Sequence, residues 1–555
     1  MEINYTGLIE KLVKSVNTPY YGLIDIYEDY ILMGSNDDGN KALYLLQDRK
    51  KTKIANYFFN LTEITGGKFA YADEVGNGQE LHKIMIYDIK KNIAVPVEMN
   101  PMRLMGMAYD GKEVAFTGIS GSNTLFLTNG GKAEKLLEIK PFDMVSSLNE
   151  KYIAGSSFNQ DSTSNIFFFN RSTGKMDYYT PKEGSTNGPP LLKDGKVLFS
   201  SNFEGKTKMY SMDPEERRPQ MILDGETEYS SYDIVDHKTI IIGISDGRNR
   251  VYVDGKLLEL PAGTINRVLP EGNGYIFSHS SMVSPLSIYR LNNGKTEKLM
   301  GAEQMDLGKV EFVRYRSFDG LEIPAFIIRS RNTPVPGPTV IYVHGGPWSE
   351  VVDSPDPFII ALSVSGFHVI CPNFRGSSGY GEEFRMMDIG DPGGNDLRDI
   401  VEAVNQFRSM ISEVSILGYS YGGYSTLMAM GKYPDIWKCG VAGAPVADWN
   451  VMYELADTAF KGFIDILLKS DKNLMNERSP IKYAANLKKP LCIITGQNDS
   501  RTPLKPVLQY IEKACSAGKT IEAHIVPNAG HIVKTNDDIA NLVFPAVIFL
   551  KKNMS

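Results

Sequence analysis

Residues 414–431 read VSILGYSYGGYSTLMAMG, and this stretch decides how the C-terminal half of the chain folds. Its first four residues are mostly apolar and predict a short buried strand, whereas the run TLMAM near its end consists largely of helix formers. Ser420 stands between these two parts, with Gly418 and Gly422 on either side of it. Because glycine tolerates close backbone approach where a Cβ would clash, the stretch predicts a sharp strand-to-helix turn with the serine at its tip.

The sequence around this turn alternates between apolar strand-like runs and helical runs. A predicted hairpin turns at Asp319-Gly320, within VEFVRYRSFDGLEIPAFIIRS. The apolar runs that follow it are TVIYVHGG, FHVICPNF, VSILGYS, CGVAGA, LCIITG and IEAHIVP. Continuous apolar strands separated by helices are typical of a mostly parallel sheet with helices on both faces.

Residues 418–422, GYSYG, fit the G-x-S-x-G pattern of α/β hydrolases. In those proteins the turn lifts the serine hydroxyl clear of the sheet. The pattern alone is weak, but here a strand precedes it, a helix follows it and an α/β domain surrounds it. We therefore predict an α/β-hydrolase catalytic domain over residues 306–555, with Ser420 as its nucleophile.

A serine hydroxyl needs a base, and the chain order in this fold is Ser, then Asp or Glu, then His. Of the seven histidines, only His524 and His531 follow Ser420. His524 lies inside a predicted strand, whereas His531 lies on the glycine-preceded loop after that strand. Asp499 follows the strand LCIITG at the same edge of the sheet. The sequence thus predicts a Ser420, Asp499 and His531 triad in which the carboxylate orients the imidazole.

A tetrahedral intermediate also needs donors for its oxyanion. The first donor is expected to be the backbone N–H of Tyr421, directly after the nucleophile. The second is expected from the glycine-rich loop VHGGPWSE, which contains Gly345 and Gly346. We choose Gly346 of these two, although the pattern does not separate them.

The first part of the chain, residues 21–305, follows a different pattern of short strand pairs around polar turns. One apolar or aromatic position recurs at intervals of 41, 41, 41, 43, 42 and 37 residues. The positions are Tyr44, Met85, Phe126, Phe167, Tyr210, Tyr252 and Tyr289. A β-rich repeat of ~40–45 residues is typical of a propeller with one four-stranded blade per repeat. We predict a seven-bladed β-propeller, with an array of β-sandwiches as the alternative.

Residues 1–20 are predicted to form an N-terminal helix outside the propeller. Leu8, Leu12 and Val13 recur at helical spacing within YTGLIEKLVKSV, which covers residues 5–16. We expect this helix to pack on the hydrolase domain.

The composition limits the classes of partner. A net charge of −7 over 555 residues, with no basic cluster, argues against nucleic acid. The sequence has no run of ~18 apolar residues, the length that a membrane span needs. Its start lacks the apolar core of a signal peptide, so we expect a cytoplasmic protein. The histidines and cysteines lack the spacing of metal ligands, so neither a metal nor another cofactor is predicted.

Six ordered motifs together resemble the prolyl oligopeptidase family of serine peptidases. They are HGGP, PNFRGSSGYGEEF, GDPGGNDLRD, GYSYGGY, NDSRTP and AGH. Within that family, SYGGY and NDSRTP look most like the acylaminoacyl peptidases, also called acylpeptide hydrolases. The resemblance implies the same triad and the release of an N-acylated amino acid from short blocked peptides, with esterase activity beside it.

The resemblance also implies residues that bind substrate. Arg501, two residues after Asp499, would bind the carbonyl oxygens on the acyl side. An apolar pocket for the acylated residue would lie after the sixth strand. Its candidates are Trp449 and one face of a predicted helix, made up of Phe460, Phe463, Ile464 and Leu467.

By the same resemblance, the propeller would cap the active site and admit only short peptides, and the protein would be a homo-oligomer. The alternatives are a dipeptidyl peptidase, a prolyl-type oligopeptidase and a carboxylesterase. The first of these needs two glutamates that hold a free N-terminus, and Glu215-Glu216 is the only adjacent pair in the propeller. An interaction protein with an inactive hydrolase domain is a further alternative from another class.

Overall fold

The N-terminal part of the chain is a ring of seven four-stranded antiparallel sheets, seen in a computed structural model that describes residues 5–76, 78–331 and 333–554. Blade 1 comprises β1 (Tyr21–Tyr27), β2 (Tyr30–Ser35), β3 (Ala42–Gln47) and β4 (Lys50–Ala55). Blade 2 comprises β5 (Phe59–Leu61), β6 (Lys68–Glu74), β7 (His82–Asp88) and β8 (Ile93–Pro96). Blade 3 comprises β9 (Arg103–Tyr109), β10 (Val114–Ser120), β11 (Ser122–Thr128) and β12 (Glu134–Glu138).

The other four blades repeat this plan. Blade 4 comprises β13 (Asp143–Leu148), β14 (Tyr152–Phe158), β15 (Ser164–Asn170) and β16 (Lys175–Tyr179). Blade 5 comprises β17 (Leu191–Lys193), β18 (Lys196–Ser201), β19 (Lys208–Met212) and β20 (Gln220–Leu223). Blade 6 comprises β21 (Glu228–Val235), β22 (Lys238–Ser245), β23 (Arg248–Val253) and β24 (Lys256–Leu258). Blade 7 comprises β25 (Thr264–Glu271), β26 (Gly274–Ser281), β27 (Ser284–Asn292) and β28 (Lys295–Met300). The seven-bladed propeller predicted from the repeat is confirmed.

The repeating position lies on the third strand of every blade, where it pairs with the second strand. Phe126 on β11 stacks on Phe116 of β10 with ring centroids 5.0 Å apart, and Tyr289 on β27 stacks on Phe277 of β26 at 5.5 Å. Such cross-strand pairs stabilise a sheet, and their rings fill the space between neighbouring blades. The ring closes where β1 packs against blade 7, and no described strand is exchanged between these two blades.

Four charged side chains cross the central channel of the propeller. Glu63, after β5, accepts hydrogen bonds from Lys193 of β17 and from Arg267 of β25, both at 2.8 Å. Asp233 of β21 completes the group with contacts of 2.7 Å to Lys193 and 3.0 Å to Arg267. Because blades 2 and 5 lie on opposite sides of the ring, the pair Glu63–Lys193 spans the axis. We call these four residues the channel network.

The C-terminal domain is built on one eight-stranded sheet. Its strands are β29 (Lys309–Arg316), β30 (Glu322–Arg329), β31 (Gly337–Val343), β32 (His368–Pro372), β33 (Ile411–Tyr419), β34 (Gly440–Gly443), β35 (Leu491–Gly496) and β36 (Ile521–Val526). Their order across the sheet is β29-β30-β32-β31-β33-β34-β35-β36. The first two strands are antiparallel to their neighbours and the rest are parallel, so the predicted α/β-hydrolase class is confirmed.

Helices cover both faces of this sheet. They are α1 (Tyr5–Val16), α2 (Pro357–Val364), α3 (Glu382–Met386), α4 (Asn395–Gln406), α5 (Tyr421–Lys432), α6 (Trp449–Leu455), α7 (Thr458–Leu468), α8 (Lys472–Glu477), α9 (Leu504–Ser516) and α10 (Asn536–Asn553), with 3₁₀ turns at Arg408–Met410 and Pro480–Asn486. No helix in the described part of the chain is both long enough and apolar enough to cross a membrane.

Helix α1 precedes the propeller but packs on the C-terminal domain, against α2 and α10. Leu8, Leu12 and Val16 are its buried residues. Val13, which the sequence pattern placed on the apolar face, is 43% exposed. The buried face follows a strict i, i+4 spacing, which turns Val13 away from the domain.

Candidate active site

Ser420 lies on a tight turn between β33 and α5. Its φ of 60° and ψ of −118° are rare for a residue other than glycine, so the backbone there is strained. The surrounding glycines allow the turn, because a Cβ on Gly418 would lie 2.4 Å from the backbone of Gly422. A Cβ on Gly422 would lie 2.0 Å from the carbonyl oxygen of Val343. The turn holds the serine at the carboxyl end of the sheet, where its hydroxyl faces the imidazole of His531.

Ser420, His531 and Asp499 form one row of hydrogen bonds. The Ser420 Oγ lies 3.0 Å from His531 Nε2, and His531 Nδ1 lies 2.7 Å from Asp499 Oδ2. Asp499 follows β35 and His531 follows β36, so adjacent parallel strands deliver both side chains to the edge where Ser420 stands. With the Nδ1 proton donated to the carboxylate, Nε2 can accept the serine proton.

The Asp499 carboxylate is held in its charged form. Burial alone would raise its pKa, but His531 and hydrogen bonds from Thr502 outweigh burial and lower the pKa. The Thr502 hydroxyl donates to Oδ2 at 2.9 Å, and the N–H groups of Arg501 and Thr502 donate to Oδ1 at 2.9 and 2.8 Å. The aspartate therefore accepts hydrogen bonds as an anion, as the orienting role requires.

The loop that carries His531 is fixed from two sides. The Tyr419 hydroxyl donates to the carbonyl oxygen of His531 at 2.8 Å. On the other side, a propeller loop of blade 2 lies so close that a Cβ on Gly530 would sit 2.0 Å from the carbonyl oxygen of Gly78. The position of the imidazole thus depends on both domains.

A cavity of about 160 Å³ opens beside the Ser420 hydroxyl. Tyr421 and Gly346, the two predicted oxyanion donors, both line it. Gly345 packs behind the serine instead, where a Cβ would lie 3.3 Å from Ser420 Cβ. The Tyr421 phenol donates to Asp396 Oδ2 at 2.7 Å and so anchors the first turn of α5.

Aromatic side chains form the apolar wall of the same cavity. Trp449, Phe460 and Phe463 line it, as the sequence predicted, and Val446 and Met452 join them. Ile464 and Leu467, also predicted there, are fully buried in the core of the domain and are not among the lining residues. Ile464 lies one helical turn after Phe460, and Leu467 one turn after Phe463, on the side of α7 that packs into the core.

Arg501 reaches the cavity, and a propeller carboxylate holds it there. Its Nε and NH2 donate to Glu80 at 2.7 and 3.0 Å, while its NH1 makes no hydrogen bond with the described residues. Burial would raise the Glu80 pKa, but the bonds to Arg501 and the charge of Arg103 lower it. Glu80 is a residue that sequence reasoning missed, because its partner is 421 residues away along the chain.

Arg103 of β9 is the second residue that the sequence did not reveal. It donates to Glu80 at 2.8 Å and to the Ser500 hydroxyl at 2.9 Å, and its Nε lies 2.8 Å from Asp457. Its guanidinium also lies over the Phe460 ring at 5.2 Å. The propeller thus contributes one carboxylate and one guanidinium to the rim of the cavity, and they bind each other.

The acidic pair considered for a dipeptidyl peptidase lies elsewhere. Glu215, between β19 and β20, accepts from the Tyr152 hydroxyl at 2.6 Å and pairs with Lys151 at 2.7 Å. Its side chain is 53% exposed, and neither it nor Glu216 lines the cavity at Ser420.

One group of side chains has the chemistry of metal ligands. Donor atoms of Cys492, Glu522 and His524 lie within 4.8 Å of one another on β35 and β36. Spacing along the sequence could not reveal this group, because its members come from two neighbouring strands. None of the three lines the cavity at Ser420.

Comparison with known families assigns both parts of the chain. Residues 18–289 match the model described as acylamino-acid-releasing enzyme-like, N-terminal domain. Residues 358–555 match the model of the prolyl oligopeptidase family. The predicted resemblance is confirmed by these two models.

Two relatives of similar identity carry different names, one a dipeptidyl aminopeptidase and the other an acylamino-acid-releasing enzyme. The chain is 29% identical over 294 residues to dipeptidyl aminopeptidase BIII of Pseudoxanthomonas mexicana, covering 48% of this chain and 43% of that protein. It is 28% identical over 255 residues to the acylamino-acid-releasing enzyme of Sus scrofa, covering 43% and 34%. The chain therefore matches less than half the length of these relatives.

Solved structures share the whole fold. The acylaminoacyl peptidase of Pyrococcus horikoshii superposes with a TM-score of 0.73 at 18% identity, over 98% of this chain and 97% of that one. A puromycin-hydrolyzing peptidase of Mycobacterium tuberculosis gives a TM-score of 0.84 at 16% identity, over 98% and 96%. At these identities the likeness establishes the two-domain architecture alone.

Proposed function

We propose that this chain, whose residues 358–555 match the model of the prolyl oligopeptidase family, is a serine peptidase that releases N-acylated amino acids from short blocked peptides. The observation that carries this proposal is the hydrogen-bonded row of Ser420, His531 and Asp499 beside an apolar cavity of about 160 Å³. A cavity of this size accepts one apolar side chain, and we infer that the propeller, which contacts Arg501 and the loop of His531, restricts access to short peptides.

In the proposed mechanism, His531 Nε2 takes the proton from Ser420 as the hydroxyl oxygen attacks the scissile carbonyl. The oxyanion that forms is bound by the N–H groups of Tyr421 and Gly346, and each such donor typically contributes ~3–4 kcal/mol. The imidazolium then protonates the leaving amine. Water attacks the resulting acyl-enzyme with His531 again as base, which releases the N-acylated amino acid and restores the serine.

The acyl side of the substrate is proposed to bind between Arg501 and the aromatic wall. The side chain of the acylated residue fits against Phe460 and Phe463, which favours apolar residues. The NH1 group of Arg501 is free to donate to a carbonyl oxygen of the acyl group. The same chemistry would hydrolyse simple esters, which need the triad but not the arginine.

The test compares two chromogenic anilides on the purified protein: an N-acetylated amino-acid anilide and a dipeptidyl anilide with a free amine. We expect a higher kcat/KM for the blocked substrate, because the charge of Glu80 is already balanced by Arg501 and Arg103 and attracts a free ammonium group less strongly. Preference for the free amine would contradict the proposal. Labelling of Ser420 by an organophosphonate tests the nucleophile independently of either substrate.

A dipeptidyl peptidase is the second candidate, because one relative carries that name and a carboxylate lies at the cavity rim. Its preference for a free amine would depend on Glu80. If the dipeptidyl anilide were the better substrate, Glu80→Gln would be the next variant to measure. A dipeptidyl peptidase should lose its preference for the free amine in this variant. A prolyl-type oligopeptidase or a carboxylesterase would instead cleave internal prolyl bonds or esters best.

A further inference from the structure

Two adjoining cavities lie between the propeller and the C-terminal domain, apart from the cavity at Ser420. Their volumes are about 350 and 490 Å³, within the range of sites that hold small ligands. Five residues line both cavities, so the two are neighbours and together form one interdomain cavity. These shared residues are Tyr20, Asn36, Lys41, Pro357 and Ile539.

The lining of the interdomain cavity is mainly apolar and comes from both domains. Leu23 and Phe58 line it from blade 1, and Phe358, Leu542 and Val543 line it from the C-terminal domain. An apolar molecule placed here would bury its surface against both domains, and each additional CH₂ group buried would contribute ~0.8 kcal/mol.

Lys41 is the one shared lining residue that carries a charge. Its ammonium lies 5.3 Å from the centre of the Phe58 ring and 5.8 Å from that of Tyr57. No carboxylate in the described parts of the chain forms an ion pair with it, and burial lowers its pKa. An ammonium removed from water without an anion is costly, so an incoming carboxylate would gain more here than at the surface.

The other charged groups at the cavity are already satisfied. Asp356 accepts the N–H groups of Phe358 and Ile359 at the start of α2 and the phenol of Tyr342 at 2.8 Å. Lys534 pairs with the Glu74 carboxylate. Lys41 is therefore the group available to bind a ligand charge.

We propose that the interdomain cavity binds an apolar monocarboxylate, with the carboxylate on Lys41 and the hydrocarbon part among the apolar side chains. This cavity is separate from the active site, and binding there does not require catalysis at Ser420. Tyr419 lies between the two sites: it lines the interdomain cavity, and its hydroxyl donates a hydrogen bond to the carbonyl oxygen of His531 at 2.8 Å.

Decanoate is a suitable probe, and calorimetric titration measures its binding. We expect Lys41→Met to weaken decanoate binding at least ~10-fold, the effect of losing one charged contact. Lys53→Met is the matched control, because Lys53 lies on β4 of the same blade and pairs with Asp38 in a partly exposed contact at 2.6 Å. It should bind decanoate as the unmodified protein does.

A neutral probe isolates the contribution of the charge. Decan-1-ol should bind more weakly than decanoate to the unmodified protein, and Lys41→Met should leave its affinity unchanged. Ile539→Trp, which fills the cavity without altering its charge, should weaken both probes. Lys41→Gln repeats the charge test with a polar side chain in case the methionine variant does not fold.

Several results would overturn the proposal. They are no decanoate binding, equal decanoate affinity in Lys41→Met and the unmodified protein, and loss of binding when an organophosphonate occupies Ser420. The last would mean that decanoate binds in the active-site cavity. Since none of these measurements depends on peptide cleavage, failure here is distinguishable from failure of the proposed peptidase activity.

Discussion

At the scale of single residues, the chemistry depends on a few short contacts around Ser420. The serine is held by a strained turn, the imidazole by Tyr419 and by the propeller, and the carboxylate by Thr502. Each support comes from a different part of the chain. We therefore expect substitutions at the reacting atoms to act differently from substitutions in their supports.

Ser420→Ala should lower kcat for a blocked anilide by roughly 10⁴- to 10⁶-fold, because it removes the proposed nucleophile. Ser412→Ala is the control, since Ser412 is an exposed residue at the other end of β33. Steady-state kinetics on both variants give the answer. A Ser420→Ala protein with a tenth of normal activity would refute the assigned role.

Arg501→Ala should lower kcat/KM for a blocked peptide by roughly 10- to 100-fold, the usual effect of losing a hydrogen bond from a charged group. Hydrolysis of a simple ester should change much less. Such an ester has the scissile carbonyl but lacks the carbonyl of an N-acyl group, which Arg501 is proposed to bind. The measurement is the ratio of the two kcat/KM values.

The control for Arg501 is Arg248→Ala, which removes another ion pair between the domains, at 2.8 Å from Asp353. If both variants lost peptide and ester hydrolysis equally, Arg501 would act only by holding the domains together.

At the scale of elements, strand ends explain what the sequence could predict. Ser420, Asp499 and His531 each follow a predicted strand of one parallel sheet, so the strand ends, the G-x-S-x-G pattern and the chain order together selected them. The repeated apolar or aromatic positions predicted the seven blades in the same way, since each lies on the third strand of its blade. Both patterns can be read from single strands, because parallel strands end at the same edge of the sheet and each blade repeats one strand order.

Contacts between distant elements could not be read in this way. Glu80 meets Arg501 only because a blade 2 loop reaches the catalytic domain, and no spacing along the chain records that contact. Similarly, the face of α7 carries Phe463 toward the cavity and Leu467 into the core. Apolar residues at helical spacing fit both surroundings equally well, so the pattern could not separate them.

The segment between α3 and α4 gives a pH prediction. Burial first, and then the neighbouring Asp396, raise the pKa of Asp388 to about 8. The folded protein therefore holds a proton at Asp388 that the unfolded chain, with an ordinary pKa of ~3.9, has lost. Because the folded state binds more protons over this range, its stability decreases as the pH rises toward and through 8.

Asp388→Asn should remove this dependence. Between pH 7 and 9 we expect the unmodified protein to lose about 1 to 2 kcal/mol of unfolding free energy through this group, and the variant to lose correspondingly less. Urea unfolding at the two pH values measures the difference. Asp48→Asn, in the exposed turn between β3 and β4, is the control, and equal pH dependence in all three proteins would contradict the prediction.

At the scale of the whole molecule, the channel network ties four blades together across the axis of the ring. The blades of this propeller share no described strand at their closure, and these ion pairs join blades that are not neighbours in the ring. We infer that the network limits how far the ring can widen.

Glu63→Gln should lower the unfolding free energy by about 1 to 2 kcal/mol, because it leaves Lys193 and Arg267 sharing the single carboxylate of Asp233. The lower part of the range for charged hydrogen bonds applies, since the Glu63 side chain is 42% exposed. Glu413→Gln is the control, with one surface partner, Lys438, at 3.4 Å. Equal denaturation midpoints for the two variants would show that the network adds no stability.

The position of α1 has a consequence for the order in which the protein is made. This helix is synthesised before the propeller, yet α2 and α10, on which it packs, begin only at Pro357 and Asn536. At a translation rate of ~5–20 residues per second, roughly 20 to 70 seconds pass before α2 is synthesised. During that interval Leu8, Leu12 and Val16 have no native partner, while all seven blades can already fold behind them. The apolar face of α1 is thus a natural target for a chaperone, because its binding site on the catalytic domain is synthesised only after the whole propeller.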